Sequence, residues 1–129
     1  MKLLLDTHAI LWWLNDNAQL GPETRALIQD PDNVSIVSME SMWEMAVKVR
    51  IRKLTADLSM MFSTLKAQGF TLLNIEAAQL KTLIDLPMHH RDPFDHLLIA
   101  QAITEDATFV SADRRTALYP SLTCPAGLA

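Results

Sequence analysis

Apolar and polar residues fall along this chain in short blocks. Runs at 3–5, 34–37, 70–73 and 108–110 are rich in leucine or β-branched residues, and the first three are bounded on at least one side by Asp, Asn or Gly. They are too brief for helices and read as buried strands. Between them, apolar positions recur at helical spacing over 8–15, 21–29, 39–52, 57–68, 76–84 and 92–105. Residues 86–91 read as a connector, 114–119 as a helical turn and 122–124 as a last short strand.

Several boundaries carry their own signals. Asp30-Pro31-Asp32-Asn33 is turn chemistry. Ser38 is an N-cap for the long third helix, and Gly69 closes the fourth. Asp92 followed by Pro93 pairs a cap with proline at the first helical position. Strands alternating with helices predict an α/β fold, a short parallel sheet covered on both faces in an α/β/α sandwich. No linker or repeat interrupts the 129 residues, which predicts a single domain over 1–129.

Composition changes this picture little. Half the residues are apolar and a fifth are charged, enough for a filled core. The net charge of −4 argues against bulk electrostatic gripping of polyphosphate and leaves only local patches for it. Cys124 is the only cysteine, so the chain has no internal disulfide and no cysteine cluster for zinc. The first apolar run is too short for a secretory signal, and no stretch approaches the ~20 apolar residues of a membrane span. A reducing, cytoplasmic location away from membranes is expected.

Ligands of open α/β sheets bind beyond the carboxyl ends of the strands. Asp6 directly follows the first strand and Asp113 shortly follows the fourth, so the two meet if those strands are neighbours. Each has a purely structural alternative as a helix cap. Glu44 lies mid-helix in an apolar run, where the plain alternative is an i,i+4 ion pair with Lys48. Asp92 explains itself as a cap, and Asp95 at the third helical position can serve the same helix end. Taken together these acids suggest a site for Mg²⁺ or Mn²⁺, since hard cations prefer oxygen ligands and clustered carboxylates need a cation. Phosphodiester cleavage is the natural chemistry of such a site.

Four segments, LLLDTHAILWWL at 3–14, SMESMWEMAVKVRIRKL at 38–54, LPMHHRDPFDHLLIAQA at 86–102 and FVSADRRTALYP at 109–120, give the chain a clear resemblance. It is similar to PIN-domain proteins of the VapC type, the ribonuclease toxins of bacterial toxin–antitoxin pairs. The resemblance implies that Asp6, Glu44, Asp95 and Asp113 are the catalytic, metal-holding acids, with Asp92 supporting the helix start. It implies a metal-dependent endoribonuclease, restrained by a cognate antitoxin and working as a homodimer. Two positions depart from the pattern: His96 stands where arginine is frequent, and Arg52 where glycine is frequent.

Thr7, Ser38 and Ser41 are candidates to hydrogen-bond the carboxylates or bound water, and Lys48, His96 and Arg114 to contact the acids or substrate. Arg91 and Arg115 also lie near the proposed site, while Lys48, Arg50, Arg52 and Lys53 read first as a solvated helix end. His8, His89 and His90 are not needed by a four-acid site. Trp12 and Trp13 diverge by roughly 100° on a helix, so one is expected in the core and the other at a rim. Two other classes compete with the nuclease. A receiver-like phospho-acceptor shares the acidic pocket but leaves Glu44 without a place. A PIN-like module that binds RNA or protein without cutting has no use for the full acidic set.

Overall fold

The computed structural model describes residues 1–89, 92–113 and the backbone of 123–125. Strands β1 (Lys2–Leu5), β2 (Val34–Ser38), β3 (Thr71–Leu73), β4 (Thr108–Ser111) and β5 (Thr123–Pro125) form one parallel sheet in the order β3-β2-β1-β4-β5. The central strand is β1. Its three leucines are fully buried, each stabilising the fold by roughly 1.5–3 kcal/mol relative to exposure.

Successive side chains of a strand point to opposite faces, and the core divides accordingly. Leu3, Leu5, Val37 and Val110 pack with α1 (Thr7–Leu14), α2 (Pro22–Gln29), α3 (Met39–Arg50) and α4 (Leu58–Ala67). Leu4, Ile36 and Phe109 pack on the other side with α6 (Pro93–Thr104). Against α6 lies α5 (Ala77–Ile84). The α/β/α arrangement follows from that alternation.

The expected elements stand within a residue or two of their sequence boundaries. The first helix starts at Thr7 rather than 8, because Asp6 caps it. The third stops at Arg50, and Arg52 then takes a left-handed φ of 62°. Gly69, with φ 87°, follows the end of α4 in the same conformation, which glycine adopts without penalty. The helical turn expected at 114–119 lies outside the described residues, and the last strand is shifted by one residue.

A buried polar chain ties the layers together. Ser38 Oγ caps α3 and donates to Gln101 Oε1 at 2.6 Å, while Gln101 Nε2 donates to Gln79 Oε1 at 2.9 Å. The end of β2 is thereby fastened to α6 and α5.

Candidate active site

Pairing of β1 with β4 settles where the strand-end acids lie. Leu5 stands opposite Val110, and the Asp6 amide donates to the Val110 carbonyl at 2.9 Å. Asp6 and Asp113 therefore emerge at one edge of the sheet. The end of β2 leads straight into α3, which carries Glu44 in its second turn. Because α6 precedes the parallel strand β4, it starts at the same carboxyl edge, and Asp95 is its third residue. Asp6, Glu44, Asp95 and Asp113 all line one cavity of about 750 Å³, together with Thr7, His8, Trp12, Gln19, Lys48, Asp92 and Ala112.

Asp6 serves as a cap and as a cavity wall at once. Its Oδ1 accepts from Ala9 N at 2.7 Å, opening α1, and its Oδ2 accepts from Ala112 N at 2.8 Å. Burial raises its pKa, more than these two donors and the nearby His8 lower it.

Glu44 is 5% exposed and fully engaged. Thr7 Oγ1 donates to its Oε1 at 2.8 Å and Lys48 Nζ to its Oε2 at 2.7 Å. The i,i+4 ion pair is thus real, and it stands inside the cavity rather than on a solvated face.

Asp92 and Asp95 separate as expected in position. Asp92 caps α6, its Oδ1 accepting from Phe94 N at 3.0 Å and Asp95 N at 3.4 Å. Asp95 is half-buried, and its pKa is pushed up to about 8, first by burial and then by the charges of Asp92, Asp6, Glu44 and Asp113. Asp113 is also half-buried, its amide donating to Ser111 Oγ at 3.0 Å.

Other sequence candidates fall elsewhere. Ser38, Ser41 and His96 are buried but do not line the cavity, and Ser38 is occupied as a cap. Arg114 lies outside the described residues, as do His90, Arg91 and Arg115. Arg50, Arg52 and Lys53 are exposed at the end of α3, the solvated reading. Trp12 lines the cavity beside His8, whereas Trp13 packs edge-on against Phe70 and donates to Gln68.

One acid escaped the sequence reading. Glu40 is completely buried, and among the described residues neither carboxylate oxygen has a hydrogen-bond partner. Its pKa is pushed up to about 9 by burial and then by Glu44, Asp95 and Asp92. The available signal was its spacing, one helical turn before Glu44.

Among the described residues, no group of three or more His, Cys, Asp or Glu side chains is arranged to hold an ion as it stands. The donor chemistry nevertheless fits a hard divalent cation. The candidate ligands are all oxygens, and the pKa of Asp95 is raised first by burial and then by its acidic neighbours, a repulsion that a cation relieves.

A family model for the PIN domain matches residues 3–121. The chain belongs to the PIN-domain family. Among solved structures, this PIN domain is similar to VapBC2 from Rickettsia felis bound to a DNA fragment from their promoter. That match has a TM-score of 0.71 at 18% identity, covering 95% of this chain and 96% of the other. VapBC-1 from nontypeable Haemophilus influenzae matches with a TM-score of 0.64 at 12% identity, over 96% and 97% of the two chains. FitAcB from Neisseria gonorrhoeae matches with a TM-score of 0.63 at 14% identity, over 95% and 96%. At these identities the likeness carries the fold. No significant match was found among curated proteins. Among the described residues, no helix is long and apolar enough to cross a membrane.

Proposed function

We propose that this PIN domain is a Mg²⁺- or Mn²⁺-dependent endoribonuclease of the VapC type, the toxin of a toxin–antitoxin pair. One observation carries the reading: Asp6, Glu44, Asp95 and Asp113, from four separate segments, line a single cavity at the carboxyl edge of a PIN-domain sheet. Structural likeness to VapBC complexes supports the antitoxin as partner. In this reading the protein is a cytoplasmic homodimer with RNA as substrate.

The four carboxylates would hold the cation. When bound, a divalent ion supplies Lewis acidity and an activated water for phosphodiester hydrolysis. The chain's own residues do the rest. Thr7 fixes the orientation of Glu44, and Lys48 presents a positive charge at the cavity wall, suited to a phosphate once it is released from Glu44. Asp92 sets the start of α6 and so the direction from which Asp95 enters.

The test is cleavage of a mixed cellular RNA pool, with Mg²⁺ or Mn²⁺ and with EDTA, comparing wild type with Asp95→Asn. Discrete, metal-dependent products absent from the variant are expected. Equal cleavage by both proteins would overturn the site assignment. Metal-independent RNA binding with no turnover would favour the non-cutting module instead. PIN-family membership leaves the receiver-like alternative without support.

A further inference from the structure

Glu40 stands apart from the four acids of the proposed site because none of the described residues satisfies it. It is the second residue of α3 and has no exposed surface, and among the described residues both of its oxygens lack hydrogen-bond partners. A buried carboxyl in that condition is destabilising whether charged or protonated, since one form lacks a counter-charge and both lack partners. The start of α3 offers only a partial positive charge. Lys48, a nearby cation among the described residues, is spent on Glu44.

Helix geometry says what lies next to Glu40. Residues i and i+4 share a face and stand about 6 Å apart along the axis, so Glu40 is one turn behind Glu44. Asp95 and Asp92 approach from α6, which packs against α3. Groups just outside the direct ligands of a metal ion tune its affinity, and a further negative charge there favours a cation. A carboxylate one turn behind a ligand is at the right remove for that role.

From this arrangement we infer that Glu40 is a fifth acid of the divalent-cation site, a carboxylate behind Glu44 and Asp95 that favours the cation by its charge without coordinating it. The inference rests on the preceding reading that the four acids hold a cation. Glu40 then acts through the ligands: it adds negative charge behind them and touches neither the ion nor a phosphate.

The test is Mn²⁺ binding by the purified full-length chain, followed by the electron paramagnetic resonance signal of free Mn²⁺, for wild type, Glu40→Gln and Asp95→Asn. Thermal melting in EDTA accompanies each titration. Glu40→Gln is expected to weaken Mn²⁺ binding about 10-fold or more, with no fall in the metal-free melting temperature. Affinity within about twofold of wild type would overturn the role of Glu40. If that occurred while Asp95→Asn lost binding, the four-acid site would stand without Glu40. If wild type itself bound no Mn²⁺, both readings would fall. Should Glu40→Gln fail to fold, Glu40→Met, which fills the same space without a polar group, is titrated under the same criterion.

Discussion

Thr7 and Glu44, 37 residues apart in sequence, are joined by a buried hydrogen bond of 2.8 Å. The bond locks the first residue of α1 to the second turn of α3, so the helix that Asp6 caps and the helix that carries Glu44 share one anchor. Hydrogen bonds to charged groups contribute roughly 1.5–3 kcal/mol. Thr7→Val keeps the shape and removes the donor, and a loss of that size is expected in urea unfolding. Thr7→Ser should restore most of it. RNA cleavage should fall with Thr7→Val, and unchanged stability would show that the bond contributes nothing.

Asp92 and Asp95 are three residues apart yet should respond oppositely to mutation. Asp92→Ala removes the cap of α6 and is expected to lower stability by about 1 kcal/mol. Asp95→Asn removes one of several mutually repelling carboxyls, so metal-free stability at neutral pH should hold or rise while cleavage disappears. Urea titration beside an RNA assay separates the two roles.

Acidity should stabilise the metal-free protein at this site. Burial and neighbouring acids hold protons on Asp95, and burial does so on Asp6, at pH values where the unfolded chain has released them. The folded state then binds more protons, so the Asp95 contribution is complete below about pH 4 and is lost as pH rises through about 8. Melting temperatures in EDTA should show a shallower decline over that window for Asp95→Asn than for wild type. Parallel declines would mean that Asp95 is not proton-linked to folding.

Arg52 occupies a backbone conformation that suits another residue. Its φ of 62° lies in the left-handed region, which costs a non-glycine residue roughly 1–2 kcal/mol. Glycine relieves that strain but loses more freedom on folding. Arg52→Gly is therefore expected to stabilise by about 0.5–1 kcal/mol, and Arg52→Val to destabilise. Chemical unfolding of the two variants checks the sign. The same torsion explains why a glycine fits the corresponding place in the resembling family.

Local features of this protein were legible from the sequence because their causes are local. Leucine runs, caps and proline placements put nearly every described element within a residue or two. Strand order was not legible. It took the β1–β4 pairing to bring Asp6 beside Asp113. Capping does not take Asp6 away from the cavity, since the residue opens α1 and also lines the cavity wall. The burial of His96 was hidden for a different reason: residues 96–102 of α6 are all buried, between the sheet, α3 and α5, so the helix has no clear polar side to read. Glu40 is buried by that same packing across elements, which no local pattern reports.

The two backbone bonds of Asp6 have a consequence for mutagenesis. Its carboxylate receives N–H groups from Ala9 on one side and Ala112 on the other, so both oxygens must be acceptors. Asparagine has one acceptor oxygen and one amino group. In Asp6→Asn, whichever way the amide turns, an N–H must point at another N–H, leaving a buried donor unpaired at about 1–3 kcal/mol. The substitution that looks gentlest on paper thus sets donor against donor where α1 begins and the chain leaves β4. A dead Asp6→Asn protein can be dead through its fold, whereas Asp95→Asn questions the chemistry alone.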